Sequence, residues 1–294
     1  MNDFYAINGI SKQGHFDALK RAIHIELKEP CYVGFMVSVR EIHPGMGLRK
    51  MYEQFSPEGI GRDAFISLGL REGYRLKSLL DKPHRTTFSV KSNRFTNLLT
   101  GKWFTDVNQV WVSDIFYFPL NNRHYYVVLI MDIYSRKIVG YSVADNMRAE
   151  NNINALQMAL TLRGIKNYKN KLIHHSDRGS QYVSDDYTNL LEDYGIGISM
   201  CKDVLENAHS ERANGTIKNE YLNRWVIRTF EDLKIKMKQA VNNYNDRLHW
   251  SIKKTPSQYE ITLKEIPIEK RVKMEIFTIK QTRENSAQMQ LFNL

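Results

Sequence analysis

Three acidic residues stand out by the company they keep. Asp114 interrupts residues 110–118, a run otherwise rich in β-branched and aromatic side chains. A carboxylate in such a strand is costly to bury unless it is paired or binds a metal. Asp177 follows the short strand expected at 172–175, in His174-His175-Ser176-Asp177-Arg178-Gly179. That is a strand end, where ligands of sheets with helical crossovers gather, and Gly179 leaves room for close approach. Glu211 lies in residues 206–224, which have helical character. At about 100° per residue, Asn207, Glu211 and Lys218 share one stripe, whereas Glu206 and Glu220 fall off it. Asp114 and Glu211 also have structural readings: an edge-strand Asp facing water and a solvated helix face.

Together the three suggest one chemistry. Magnesium takes oxygen ligands, commonly one or two carboxylates plus water and substrate phosphate. Two such ions about 3.5–4 Å apart can serve both the attacking and the leaving oxygen of a phosphodiester. Lys218 would then hold a phosphate as a point charge. Asp132 competes for a place in the set, but its strand-to-turn position favours a loop cap. His174 and His175 are adjacent, so on a strand their side chains diverge and cannot chelate one ion. With no ligand cysteines beside them, zinc is disfavoured there.

The elements that must position these residues alternate. Residues 110–118, 124–132 and 138–143 read as three strands with short links, hence an antiparallel meander. A helix is expected over 148–163, a strand over 172–175, a helix over 182–194, a strand over 195–200 and a long helix over 206–224. The order β-β-β-α-β-α-β-α predicts a mixed five-stranded sheet with helices on its faces, an α/β fold. The expected catalytic core is 106–262, followed by a polar tail, 263–294, without clear periodicity.

Residues 1–80 are helical in pattern. Residues 47–55 and 62–70, joined by the turn Ser56-Pro57-Glu58-Gly59-Ile60-Gly61, suggest a helix-turn-helix spanning about 47–71. Arg49, Lys50, Arg62 and Arg71 are the candidate nucleic-acid contacts, and 62–70 the candidate recognition helix. A weaker second candidate covers 10–21. Residues 81–105 read as a basic linker, with Lys82, Arg85, Lys91, Arg94 and Lys102.

Charge agrees with this division. The 294 residues carry a net charge of +10. Residues 1–105 hold 16 Lys and Arg against 10 Asp and Glu, so about a third of the chain carries more than half of the excess. Such a balance favours polyanionic partners. Two cysteines, Cys31 and Cys201, cannot make a disulfide framework or a four-thiolate zinc site, and a reducing compartment is the simplest reading. No signal pattern opens the chain, and no apolar run approaches the roughly 20 residues of a membrane span. A cytoplasmic protein is expected.

At these residues the sequence closely resembles the bacterial insertion-sequence transposases with a retroviral-integrase-like core. More narrowly, it resembles the second-frame product of elements with two overlapping reading frames. The resemblance rests on Val110-Trp111-Val112-Ser113-Asp114-Ile115, Met131-Asp132-Ile133-Tyr134-Ser135-Arg136-Lys137-Ile138-Val139-Gly140, His175-Ser176-Asp177-Arg178-Gly179-Ser180-Gln181-Tyr182, Asn207-Ala208-His209-Ser210-Glu211 and Ile217-Lys218-Asn219-Glu220. Tyr244-Asn245-Asp246-Arg247-Leu248-His249 and Thr255-Pro256-Ser257 extend it, so that it runs from about residue 45 to 260. The order and spacing of these motifs are far more specific than any one of them.

The resemblance implies a ribonuclease-H-like fold, with the family's DDE triad at Asp114, Asp177 and Glu211 and its basic residue at Lys218. It implies dependence on magnesium, two ions with manganese as a substitute, and metal-dependent cleavage and strand transfer at element ends. The partners it implies are double-stranded DNA, a dimer or higher homo-oligomer, and the first-frame product, at the nucleoid. The interval from Asp177 to Glu211 is slightly shorter than usual in that family, the shortfall lying at 201–206. The competing readings are a DNA-binding regulator with an inactive core and a nuclease acting on RNA–DNA hybrids.

Overall fold

The computed structural model describes residue 9 and residues 11–77, 94–166, 172–201 and 207–275. About half of the expected basic linker, residues 202–206 and the last part of the expected tail lie outside the described residues. The chain divides into two compact units, Met1–Leu80 and Asp81–Leu294.

The first unit has three helices: α1 (Lys12–Ile42), α2 (Leu48–Phe55) and α3 (Arg62–Arg71). The Ser11 hydroxyl accepts from the Gly14 N–H and starts α1. Residues 12–21 therefore do not form a second helix-turn-helix: one uninterrupted helix runs from Lys12 to Ile42. Tyr32, Met36 and Val39 of α1 pack with Leu48 and Met51 of α2 and with Phe65 and Leu68 of α3. The turn between α2 and α3 uses two left-handed residues, Ser56 (φ 43°) and Gly59 (φ 79°). The second of these is the natural place for a glycine.

The second unit is built on a five-stranded sheet. β1 is a two-residue strand, Trp103–Phe104, outside it; the sheet itself begins with β2 (Val110–Leu120), β3 (Arg123–Asp132) and β4 (Ile138–Ala144). Helix α4 (Ala149–Arg163) leads to β5 (Ile173–Ser176), and α5 (Asp185–Asp193) to β6 (Gly197–Met200). The strand order is β4-β3-β2-β5-β6. β2, β3 and β4 pair antiparallel, whereas β5 is parallel to β2 and β6 to β5. This is the expected ribonuclease-H-like arrangement.

The β2–β3 turn is tighter than the sequence suggested. Asn121 (φ 51°) and Asn122 (φ 61°) alone form it, the left-handed pair that a two-residue hairpin demands. The expected helix over 182–194 begins later, at Asp185, because residues 180–183 form a turn first. The expected helix over 206–224 changes type along its length. It comprises α6 (Ala208–Thr216), a π-helical turn (Ile217–Tyr221) and a 3-10 turn (Leu222–Arg224).

Two further helices follow, α7 (Phe230–Asn245) and α8 (Pro256–Leu263). Both start with a capping box, Thr229 with Asp232 and Thr255 with Gln258. The expected tail is partly ordered: β7 (Met274–Glu275) pairs antiparallel with β1, and the Arg271 guanidinium pairs with Asp106. Strands of two residues carry no period that a sequence could show.

The sheet is apolar on both faces. One face buries Val112, Phe118, Val127 and Leu129 against Ala213, Ile217, Leu233 and Met237 of α6, the π turn and α7. The other buries Trp111, Val128 and Ile130 against Ala155, Leu156, Tyr182 and Tyr187. Gly140 lets β4 touch α4: a Cβ there would meet the Ala155 carbonyl oxygen at 2.2 Å. Backbone at both ends leaves no side chain to give way, so Gly140→Ala is expected to cost about 2 kcal/mol or more. Equilibrium denaturation of the variant measures this, and wild-type stability would show that the strand and helix do not pack this closely.

Candidate active site

Register decides where two of the acids fall. The last paired rung of β2 and β5 is Val112 opposite His175. Asp114 and Asp177 each follow that rung by two residues, so in a sheet of period 2 they share its face. β5 ends at Ser176 while β2 runs on to Leu120. The two carboxylates thus stand where neighbouring parallel strands diverge, on the face covered by α6. Glu211 comes from the first turn of α6.

The three share one electrostatic field. Burial first, then the negative charges of Asp177 and, more weakly, Glu211, push the Asp114 carboxyl up to about 7. Burial raises Asp177 and Glu211 too, against a hydrogen bond from the Gly179 N–H to Asp177 Oδ1 at 3.0 Å. Asp114 is held at both oxygens: the Ile115 N–H donates to Oδ1 (2.9 Å) and Asn214 Nδ2 to Oδ2 (2.9 Å). Among the described residues no three acidic, histidine or cysteine side chains are drawn onto one point as a completed metal cage would require. The donor set nevertheless fits a hard divalent cation: it is all oxygen, and its accumulated negative charge is what such an ion relieves.

The surrounding strand residues are polar and paired on both faces of the sheet. The Tyr182 and Ser113 hydroxyls bond at 2.8 Å on the opposite face of β2. His174 Nε2 meets the Tyr187 hydroxyl at 2.9 Å, and His175 Nδ1 meets Ser199 Oγ at 2.9 Å. The two histidines diverge, as adjacent strand residues must. Burial drives His174 down to about 3, so it stays neutral. Asp132 is fully buried and caps its turn, accepting from the backbone N–H groups of Asn108, Tyr134 and Ser135. Glu220 pairs with Arg247 at 2.6 Å.

The remaining candidates divide. The π turn places Lys218 toward β2, its Nζ 5.0 Å from the centre of the Tyr117 ring. Asn207 is a correction to the expected nucleic-acid contacts. It is buried, it sits at the N-cap position of α6 without a side-chain capping bond, and its Nδ2 donates to the Ser113 carbonyl at 3.1 Å. The uniform 100° stripe failed because position 207 precedes the helix and position 218 lies in a wider turn. The residue that bonds Asp114 is Asn214, which sequence reasoning missed; its spacing of three from Glu211 was the available signal. In the first unit, Arg49, Arg62 and Arg71 are exposed but pair with Glu53 (3.1 Å), Asp63 (2.9 Å) and Glu29 (2.6 Å). Lys50 lies on α2 and is partly buried.

Residues 105–203 match the family described as integrase core domain. The chain is 35% identical over 186 residues to the insertion element IS600 uncharacterized 31 kDa protein of Shigella sonnei, covering 61% of this chain and 66% of that one. It is 30% identical over 211 residues to the transposase for insertion sequence element IS629 of Shigella sonnei, covering 70% of each. The chain belongs to the insertion-sequence transposases. These are the polynucleotidyl transferases of DNA transposition with an integrase core. The stretch this transposase shares with its curated relatives spans about two thirds of their length. Its core is also similar to the HTLV-2 integrase catalytic core domain, solved in complex with magnesium, at 20% identity and a TM-score of 0.43 over 56% of this chain and 99% of that one.

The raised Asp114 makes the cation-free protein sensitive to pH in a predictable direction. A carboxyl that ionises less readily folded than unfolded contributes stability below its unfolded value, about pH 4, and loses it as pH rises through about 7. Asp114→Asn removes that loss. The variant is expected to match wild type near pH 5 and to exceed it by on the order of 2 kcal/mol at about pH 8 in chelator. A stability difference that does not grow with pH would show that Asp114 is not crowded by like charge.

Proposed function

We propose that this transposase cuts element ends and joins them to target DNA with Asp114, Asp177 and Glu211 as its catalytic carboxylates. The observation that supports this most is the like-charge crowding of Asp114 by the other two acids on one face of the sheet. Three carboxylates without a lysine or arginine ion-paired to any of them among the described residues are arranged to receive a cation. Magnesium, two ions in all, is the cofactor that suits these oxygen donors; when bound it would stabilise the attacking and leaving oxygens of the phosphodiester.

The chain's own residues then do three things. Asp114, Asp177 and Glu211 fix where the scissile phosphate is presented, with the five-stranded sheet as a rigid base. Lys218, on the β2 side of the same helix, holds a neighbouring DNA phosphate. The buried layer of Ser113, Tyr182, His174 and Tyr187 keeps the carboxylates at their stations. Water attacks a phosphodiester at the element end and frees a 3′-hydroxyl. That hydroxyl attacks a second phosphodiester in line, one P–O bond forming as another breaks, with no covalent enzyme intermediate.

α2 and α3, with Arg49, Lys50, Arg62 and Arg71, are the proposed reader of the terminal repeats, and α3 its recognition helix. The domain limits 1–80, 81–105, 106–262 and 263–294 are proposed as the reader, strap, catalytic core and tail. Joining two ends requires at least two copies, acting with or without the first-frame product, on bacterial cytoplasmic DNA. No helix among the described residues is long and apolar enough to cross a membrane.

Asp114→Asn is expected to abolish magnesium-dependent cleavage of a labelled element-end duplex while leaving binding intact. Cleavage at the wild-type rate would remove Asp114 from the reaction, and binding without any cleavage by the wild-type chain would favour the regulator. Lys218→Ala is expected to weaken binding uniformly across sequences and to lower the salt slope by about 1. An unchanged slope would take Lys218 away from the phosphate backbone.

A further inference from the structure

The three carboxylates come from three separate elements, so something must hold them in mutual register before a cation draws them together. Asn207 ties the start of α6 to the Ser113 backbone of β2, but the described side chain that reaches from α6 to a carboxylate of the cluster is Asn214. It lies on α6, three residues beyond Glu211, and is buried. Its Nδ2 donates to Asp114 Oδ2 at 2.9 Å, across 100 residues of sequence.

The chemistry of the amide suits that place. With Ile115 N–H on Oδ1 and Asn214 on Oδ2, the Asp114 carboxylate is fixed in one orientation. Each oxygen keeps a second lone pair for a cation. A lysine there would neutralise Asp114 and compete with the cation; an acid would add a fourth like charge; an alanine would leave the carboxylate to turn. The neutral donor orients without competing. The same bond ties the helix that carries Glu211 to the strand that carries Asp114. Asn214 Oδ1 is buried and has no hydrogen-bond partner among the described residues. That leaves an acceptor at the rim of the cluster, suited to a water brought by a hydrated ion.

We propose that Asn214 is a positioning residue that presets Asp114 against Glu211 and so sets the affinity of the carboxylate cluster for divalent cation. This rests on the proposed assignment of Asp114, Asp177 and Glu211 as the cation's ligands.

The test is a titration of the full-length chain with magnesium or manganese alone, following the shift in thermal midpoint, without DNA and without turnover. Asn214→Ala is expected to raise the cation concentration for half-maximal shift by roughly 10- to 100-fold. Asn214→Asp, which keeps the shape and adds a charge, is expected to melt below wild type in chelator at about pH 8 and to gain more than wild type from saturating cation. Asp114→Asn is expected to abolish the cation-dependent shift. A wild-type shift in Asp114→Asn overturns the ligand assignment itself. Loss of the shift in Asp114→Asn, with an unchanged midpoint concentration in Asn214→Ala, overturns the role of Asn214 alone. An Asn214→Asp variant as stable as wild type in chelator does the same.

Discussion

Like charge gathered on one face of the sheet, over its central strands, governs how this fold is built. Asp114 on β2 and Asp177 just past the end of β5 each stand two residues beyond the shared rung Val112–His175, and Glu211 is carried to the same face by α6. Left to itself such a trio opposes folding, since burial and mutual repulsion both disfavour ionisation. The fold must therefore supply the stability that the site removes. It does so with two apolar faces, one of which closes over the sheet through the very helix that bears Glu211. Packing of Ala213 and Ile217 and placement of Glu211 are one event.

Support reaches the site from the C-terminal elements as well. Asn245 of α7 donates to the Ile138 carbonyl and accepts from the Ile138 N–H, satisfying both backbone groups of the first residue of β4. Glu260 of α8 accepts from Arg163 of α4 and from Lys137 after the β3–β4 turn. Buried ion pairs of this kind contribute little net stability against well-packed apolar groups, but losing one partner is costly. Their effect here is to fix register: they lock the turn capped by Asp132, which closes the hairpin whose other strand pairs with the strand of Asp114.

How much of this was legible follows from what each feature does to the sequence. The three acids were legible because each breaks a pattern, Asp114 most of all, an ionisable group inside an apolar strand. The sheet was legible because both its faces are buried and its strands are rich in β-branched and aromatic residues. Asn207 was misread because the stripe argument assumed an ideal helix on both sides of Glu211, whereas that position is a cap and Lys218 lies in a π turn. Asn214 escaped because a neutral amide breaks no pattern. Helices α7 and α8 left clear marks, the capping boxes at Thr229 and Thr255, that periodicity alone does not weigh. The length of α1 was hidden by Pro30, which lies inside it and ordinarily ends a helix.

The first unit raises a last point about charge. Three of its four candidate contact residues already have an acidic neighbour, in exposed pairs with Glu53, Asp63 and Glu29. Exposed pairs of this kind are worth at most about 1 kcal/mol. A DNA phosphate, by contrast, gains both the pairing and the release of condensed counterions. On the proposed reading the arginines exchange a weak internal partner for a stronger external one. The acids then act as a threshold: they lower attraction to arbitrary DNA, while at a terminal repeat the base contacts add to the exchange. On that reading the first unit trades raw affinity for discrimination, which suits a transposase that must find particular ends among a genome of competing phosphates.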